Sequence, residues 1–240
     1  MPPPYAAVYF DCDSTLSSIE GVDELLHALD PALRAEIAAM TELAMNGQAP
    51  LAAIYETRLD RIAPHRDLLD EIGALYVARA VPHAGDVIAA LHFLRIETGI
   101  ISGGLLVPVR HLAAHLGVPA DNVHAVPLLF HDDGRYRDFD RRSPLWQNGG
   151  KVTVIAALPD AHRPVAFVGD GITDLEVQGT ADLFIGFGGV ADREAVRSKA
   201  ERFVAGPSLA GVLRHVLTEV QLDSLSSEPA FASLLSAVDR

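Results

Sequence analysis

Residues 10–15 read FDCDST and directly follow the apolar run AAVY at residues 6–9. This pattern predicts a buried strand with Asp11 and Asp13 at its carboxyl end, the edge at which open α/β sheets place their active sites. Side chains two residues apart on an extended chain point the same way, so both carboxylates are expected to face one ligand. Because close carboxylates repel each other, a cation or a protonated partner must neutralise them. An acidic turn after an ordinary strand is the alternative interpretation.

A second apolar run ends in the same manner. Residues 165–168 read VAFV, and GDGITD follows at 169–174, with Asp170 between two glycines and Asp174 four residues later. Glycines on both sides of Asp170 let the backbone approach a ligand closely. The sequence therefore predicts a second strand that delivers carboxylates to the same edge of the sheet.

A third predicted strand, at residues 98–102, presents a hydroxyl in place of an acid. It stops at Ser102, and Gly103 and Gly104 follow before the next predicted helix. The backbone amides of such a glycine loop are suited to holding an anion. Two of the predicted strands thus end in carboxylates, and the third ends in a hydroxyl followed by backbone amides. Together these groups predict a metal-assisted phosphate site.

Lysine is rare in this chain, which makes one lysine informative. Of the 19 basic residues only Lys151 and Lys199 are lysines, and Lys151 follows Asn-Gly-Gly at the start of a predicted helix. A compact ammonium fits between a carboxylate and a phosphate where a planar guanidinium does not. The sequence therefore favours a functional role for Lys151, and chance survival at a helix N-terminus is the alternative.

Composition limits the class of protein and its partners. The chain has 240 residues, 49% of them hydrophobic and 21% charged, which is typical of a soluble globular protein. A formal net charge of −13 argues against nucleic acid or an anionic membrane as a partner. Cys12 is the single cysteine, so an internal disulfide is excluded. The absence of a signal-like start or a long apolar run predicts a cytoplasmic protein, and a homodimer stays open.

The order of predicted elements indicates the fold class. Strands and helices alternate from residue 84 to about residue 220, which predicts an α/β fold with a doubly wound, Rossmann-like parallel sheet. Residues 17–82 contain no convincing strand and read as about four helices, which predicts an all-helical cap inserted after the first strand. We therefore expect a core domain at 1–16 and 83–220, a cap at 17–82, and a C-terminal extension at 221–240 made of a serine-rich linker and a helix.

Over roughly residues 5–220 these motifs resemble those of the haloacid dehalogenase superfamily, and within it the phosphoserine phosphatase family. The motifs that carry the resemblance occur in the family's order: DCDST at 11–15, SGG at 102–104, Lys151, and GDGITD at 169–174. Segments of the predicted cap resemble the family as well: EGVDEL at 20–25, MTELAMNG at 40–47 and YETRL at 55–59.

The resemblance implies phosphoryl transfer through an aspartyl-phosphate. Asp11 is expected to attack phosphorus, and Asp13 to protonate the leaving alkoxide and then to activate water. The implied cofactor is Mg²⁺, held by Asp11, Asp13 through its carbonyl, and Asp170. Asp174 is expected to orient that shell or Lys151.

The resemblance also implies which residues contact the substrate. Ser102, Gly103, Gly104 and Lys151 are expected to surround the phosphoryl oxygens. Glu20 is expected to pair with a substrate ammonium and Arg58 with a substrate carboxylate, while the motif match places three further residues near the substrate: Met45, Asn46 and Thr173. The sequence alone favours simpler roles: Glu20 as an acid at a helix N-terminus, Arg58 on a solvated helix face, and Met45 in the hydrophobic core.

The implied function is a Mg²⁺-dependent phosphatase that hydrolyses O-phosphoserine, a reaction that belongs to serine biosynthesis. A phosphatase or phosphotransferase for another small phosphomonoester is the alternative within the enzyme class. A receiver module that stores phosphate on Asp11 is a different class, and Asp13 argues against it because a general base beside the acyl phosphate shortens its lifetime.

Overall fold

A parallel sheet organises the computed structural model, which describes residues 5–45 and 51–238. The strands, in chain order, are β1 (Ala7–Phe10), β2 (Glu97–Leu105), β3 (Val123–Val126), β4 (Leu128–Phe130), β5 (Tyr136–Phe139), β6 (Val165–Gly169), β7 (Leu183–Phe187) and β8 (Arg202–Val204). Six of them form one sheet in the order β3-β2-β1-β6-β7-β8, while β4 and β5 pair as an antiparallel hairpin. The predicted α/β fold with a doubly wound parallel sheet is confirmed.

The sheet explains where a site can form. The central strand β1 pairs in parallel with β2 on one side and β6 on the other, so that Phe10 lies opposite both Ile100 and Val168. Every residue of β1, β6 and β7 is buried, as expected for a parallel sheet covered on both faces. Strand order reverses between β1 and β6, and open sheets bind ligands at the carboxyl ends beside such a reversal.

Helices cover the sheet and fill the segment after β1. They are α1 (Gly21–Glu24), α2 (Pro31–Met45), α3 (Leu51–Ile62), α4 (Arg66–Ala78), α5 (Ala84–Phe93), α6 (Leu106–Leu116), α7 (Gly150–Ala156), α8 (Ile172–Leu175), α9 (Glu194–Arg197), α10 (Leu213–Val216), α11 (Glu219–Ser226) and α12 (Ala232–Val238). Within its described part, the segment 17–82 contains helices α1–α4 and no strand, as the sequence predicts. None of the described helices is long and apolar enough to cross a membrane.

Strand β2 departs from the sequence prediction at the site. It does not stop at Ser102 but continues through both glycines to Leu105, with an irregular register between Ile101 and Leu105. A Cβ on Gly104 would lie 2.8 Å from Asp13 Oδ2. A side chain at position 104 would therefore displace the Asp13 carboxylate, and glycine leaves it in place.

After the second acidic motif the sequence predicts helices at 173–179 and 208–219, and the elements found there are shorter. The first is the single turn Ile172–Leu175, and the second is a 3₁₀ turn, Leu209–Val212, followed by α10. The segment after residue 220, expected to be a serine-rich linker, is mostly helical, since α11 spans Glu219–Ser226. The extension packs on the rest of the chain, where Phe231 meets Phe93 edge-on with ring centroids 5.5 Å apart.

A close helix contact joins α4 to α6. Gly73 of α4 faces the ring of His111, and a Cβ at position 73 would lie 2.5 Å from His111 Cγ and 2.8 Å from its Cβ. His111 Nε2 also lies 3.2 Å from Asp70 Oδ1, which fixes the imidazole at this crossing. Because the nearest atoms belong to the base of the histidine side chain, an added methyl must push the helices apart.

We expect Gly73→Ala to lower stability by about 1–2 kcal/mol, since overpacking outweighs the gain in helix propensity. Thermal unfolding should show a melting temperature lower by about 3 °C or more. Gly85→Ala is the matched control, because its nearest neighbour would be Leu116 Cδ2 at 3.9 Å. An equal rise in melting temperature for both variants would contradict the close contact.

Candidate active site

Three buried carboxylates and one buried ammonium meet at the carboxyl ends of β1 and β6. Carboxylate oxygens of Asp11, Asp170 and Asp174 lie within 4.8 Å of one another. Lys151 Nζ lies 2.8 Å from Asp11 Oδ1 and also bonds to Asp174. The structure thus brings the two acidic motifs and Lys151, each singled out from the sequence, into one cluster.

Lysine 151 reaches this cluster because of the turn that precedes α7. Gly149 has φ of +73°, a left-handed conformation that favours glycine. A Cβ on Gly150 would lie well inside the contact distance of the Pro144 carbonyl oxygen, so the chain there passes against its own backbone. The Asn-Gly-Gly sequence therefore lets α7 begin close to the loop 143–147 and deliver Lys151 inward.

The charges of the cluster are not balanced by protein groups alone. Burial, and then the Asp174 carboxylate, raise the pKa of Asp11 well above its ordinary value, although Lys151 opposes the shift. The same two causes raise the pKa of Asp170 to about 6. Burial lowers the pKa of Lys151, but Asp11 and Asp174 reverse this, so its pKa lies above the ordinary value and the ammonium stays charged.

The donor set of this cluster fits a hard divalent cation. Its ligands are carboxylate oxygens, which Mg²⁺ prefers. Asp11 Oδ1 is buried and makes no aligned hydrogen bond to the described residues, although it pairs electrostatically with Lys151. Asp174 has both oxygens engaged, one with Lys151 and one with the Gly171 amide at 2.8 Å. Asp170 also accepts hydrogen bonds through both oxygens, from Thr15 Oγ1 at 3.2 Å and from Arg193 Nε at 3.1 Å. Among the three carboxylates, Asp11 Oδ1 therefore has the most freedom to bind a metal.

Asp13 lies beside the cluster but has its own partners. Its Oδ1 accepts hydrogen bonds from the Tyr76 hydroxyl and, at 2.8 Å, from the Gly21 amide. Ser102 Oγ lies 3.5 Å from Asp13 Oδ2. Burial is the main cause that raises the pKa of Asp13, and the bonds from Tyr76 and Gly21 partly oppose it. Partners outside the carboxylate cluster thus hold the side chain of Asp13, whose pKa lies above its ordinary value.

The predicted phosphate loop forms one side of a pocket of about 610 Å³. Gly103, Gly104 and Thr173 line this pocket together with Lys151. Ser102 is fully buried, and its Oγ accepts a hydrogen bond from the Gly104 amide at 2.9 Å. The hydroxyl therefore fixes the backbone of the loop as well as lying near Asp13.

Two cap residues predicted to bind substrate also line the pocket. Glu20 precedes α1 but makes no capping hydrogen bond; its Oε1 accepts from Ser14 Oγ at 2.7 Å. Burial, and then Asp13, raise the pKa of Glu20 to about 7. Arg58 is mostly buried and pairs with Asp23 of α1 rather than with an acid on its own helix. The side chain of Met45 and all of Asn46 lie outside the described residues.

Sequence reasoning missed two residues of the site. Arg193 Nε donates to Asp170 Oδ2 at 3.1 Å, and its Nη2 lies 3.7 Å from Glu20 Oε1, so Arg193 links these two pocket residues. Tyr76 bonds to Asp13 from α4. Each is a single residue in a segment without a recognisable motif, so neither spacing nor composition indicated it.

Comparisons with known proteins identify the family to which this chain belongs. A family model for haloacid dehalogenase-like hydrolases matches residues 8–177. Phosphoserine phosphatase of Bos taurus is 36% identical over 200 residues, covering 82% of this chain and 88% of that protein. The Homo sapiens phosphoserine phosphatase is 35% identical over the same length and coverage.

A solved structure supports the fold in addition. A phosphoserine phosphohydrolase-like protein from Francisella tularensis subsp. tularensis SCHU S4 superimposes with a TM-score of 0.74 at 24% identity. The match covers 91% of this chain and 98% of that one. The chain belongs to the haloacid dehalogenase-like hydrolases, within their phosphoserine phosphatase family, and is a phosphoric monoester hydrolase.

Proposed function

We propose that this protein is a Mg²⁺-dependent phosphatase that hydrolyses O-phosphoserine to serine and phosphate. The observation that carries the proposal is the composition of one pocket, which joins the Lys151–carboxylate cluster to Glu20 and Arg58. An acid and a guanidinium beside a phosphate site match the ammonium and carboxylate of a phosphorylated amino acid. The phosphoserine phosphatases among the relatives support the same substrate.

The reaction starts at Asp11. Its carboxylate oxygen attacks phosphorus, the bond to the serine oxygen breaks, and an aspartyl-phosphate forms. Asp13, whose raised pKa favours the protonated state, gives its proton to the leaving alkoxide. The resulting Asp13 carboxylate then takes a proton from water as that water attacks phosphorus, which restores Asp11 and releases phosphate.

Fixed positive groups stabilise the charge that spreads over the phosphoryl oxygens. Lys151 and the Gly103 amide are suited to this role, with Ser102 and Gly104 completing the loop. Asp11, Asp170 and Asp174, with the Asp13 carbonyl, would hold Mg²⁺. When bound, Mg²⁺ supplies positive charge beside the transferring group.

Residues 17–82 act as the selective cap in this proposal. Glu20 binds the substrate ammonium and Arg58 its carboxylate, while Met45, Asn46 and Thr173 lie near the substrate as the family motifs imply. The remaining core, 1–16 with 83–220, performs the transfer. The core thus carries out phosphoryl transfer, and the cap selects the substrate.

Phosphate release from a panel of phosphorylated small molecules tests the proposed function. With Mg²⁺ present, phosphoserine should be hydrolysed faster than sugar phosphates, because it offers an ammonium and a carboxylate together with the phosphate. Asp11→Asn should lower turnover by at least about 10³-fold while circular dichroism and melting temperature show an intact fold. Equal rates across sugar phosphates would contradict the substrate, and an active Asp11→Asn enzyme would contradict the nucleophile.

The raised carboxyl pKa values make metal binding pH-dependent. Asp170, with a pKa of about 6, must lose its proton before it binds Mg²⁺. In the metal-free protein, ionising Asp170 costs stability, so stability falls as pH rises from the ordinary value of 3.8 through 6. We expect Mg²⁺ to raise the melting temperature more at pH 7.5 than at pH 5.5.

Two variants sharpen this experiment. Asp170→Asn should raise the melting temperature of the metal-free protein at pH 7.5 and abolish the shift caused by Mg²⁺. Asp121→Asn, at an exposed position away from the cluster, is the control and should behave as the parent protein does. A Mg²⁺ shift that survives in Asp170→Asn would contradict this metal site.

Recognition of the substrate carboxylate by Arg58 is separable from phosphoryl transfer. Arg58→Ala should lower kcat/KM for phosphoserine by about 10- to 100-fold, since a charge-assisted hydrogen bond is lost. Hydrolysis of p-nitrophenyl phosphate, which lacks a carboxylate, should change little. Matching losses for both substrates would show that Arg58 supports the fold of the pocket instead.

A further inference from the structure

A second polar group stands beside Arg58 in the wall of the pocket. Tyr55 lies three residues earlier on α3, and residues three apart share one face of a helix. Both side chains line the active-site pocket. The Tyr55 hydroxyl is buried and has no hydrogen-bond partner among the backbone groups and side chains that the structure describes, and Arg58 Nε is in the same situation.

Packing does not account for the hydroxyl of Tyr55. The ring is held by Phe139, whose ring meets it edge-on at 75° with centroids 5.5 Å apart. Phe139 in turn contacts Trp146, another pocket residue, at 5.3 Å. A phenylalanine at position 55 would make the same ring contacts without burying an unpaired polar atom, which is unfavourable.

The surroundings of this hydroxyl determine what it can bind. Burial, and then the Asp13 carboxylate, raise the pKa of Tyr55, so the phenol stays protonated and can donate. Its neighbour Arg58 offers only donors and a positive charge. A neutral donor and a guanidinium side by side suit an anionic acceptor, and since Lys151 and the glycine loop hold the phosphate, that acceptor is a carboxylate.

We propose that the Tyr55 hydroxyl donates a hydrogen bond to the substrate carboxylate beside Arg58, which makes Tyr55 a specificity-determining residue. The inference rests on the proposed function, because it takes the substrate to be a phosphorylated amino acid. Ligand binding would satisfy a donor that the unliganded protein leaves unpaired. Two groups from one turn of α3, the Tyr55 hydroxyl and the Arg58 guanidinium, thus bind the carboxylate.

The test compares phosphoserine with O-phosphoethanolamine, which has the same phosphate and ammonium but no carboxylate. For Tyr55→Phe we expect kcat/KM for phosphoserine to fall by about 10- to 100-fold. The value for phosphoethanolamine should stay within about twofold of the parent enzyme. The ratio of the two constants reports carboxylate recognition alone, since a general loss of catalysis cancels.

Tyr136→Phe is the matched control. Tyr136 also carries a buried hydroxyl without a partner in the described parts of the chain, but it does not line the pocket. Removing its hydroxyl should leave the substrate ratio unchanged. In a double-mutant cycle, Tyr55→Phe should cost less in an Arg58→Ala background, because both groups bind the same carboxylate.

The outcomes separate this inference from the proposed function. A parent enzyme that prefers phosphoserine, with an unchanged ratio in Tyr55→Phe, would overturn the role of Tyr55 alone. Equal losses on both substrates, or an equal change of ratio in Tyr136→Phe, would overturn it as well. A parent enzyme without preference for phosphoserine over phosphoethanolamine would overturn the proposed substrate and the carboxylate contact together.

Discussion

The Lys151 ammonium, shared between Asp11 and Asp174, is the contact on which the site depends. It joins the start of α7 to Asp11, directly after β1, and to Asp174 of α8, the turn that follows β6, and all three side chains are buried. Removing the ammonium would leave two buried carboxylates without their cation, at a cost of about 3–5 kcal/mol. Lys151 therefore holds the strand ends together, yet it cannot neutralise every carboxylate there, and the excess negative charge favours a divalent cation.

Recognition and chemistry are physically linked across the pocket. Arg193 lies between Asp170 of the cluster and Glu20 of the helical segment, within ion-pair distance of both. Tyr76 of α4 bonds to Asp13, so the helical segment also shapes the environment of the general acid. The close packing of Gly73 on His111 fixes α4 against the sheet's helices. A shift of α4 would consequently change the partners of Asp13.

Continuous apolar runs made the sheet predictable from sequence. Strand β6, for example, forms where the apolar run at residues 165–168 predicts it, between Pro164 and the glycine-flanked Asp170. The acidic motifs and Lys151 were predictable since their order along the chain carries the family pattern. The extension of β2 through Gly104 was not, because glycines after a strand usually indicate a turn. Arg193 and Tyr76 act through three-dimensional proximity that no spacing encodes.

A crystal grown with phosphate and with Mn²⁺ in place of Mg²⁺ would locate the metal and the anion together. We expect one anomalous scattering peak about 2.1 Å from carboxylate oxygens of Asp11 and Asp170, with phosphate bound between that ion and Lys151. A metal peak away from both aspartates, or phosphate bound out of reach of Lys151, would contradict the convergence of these groups on one ion and its oxyanion.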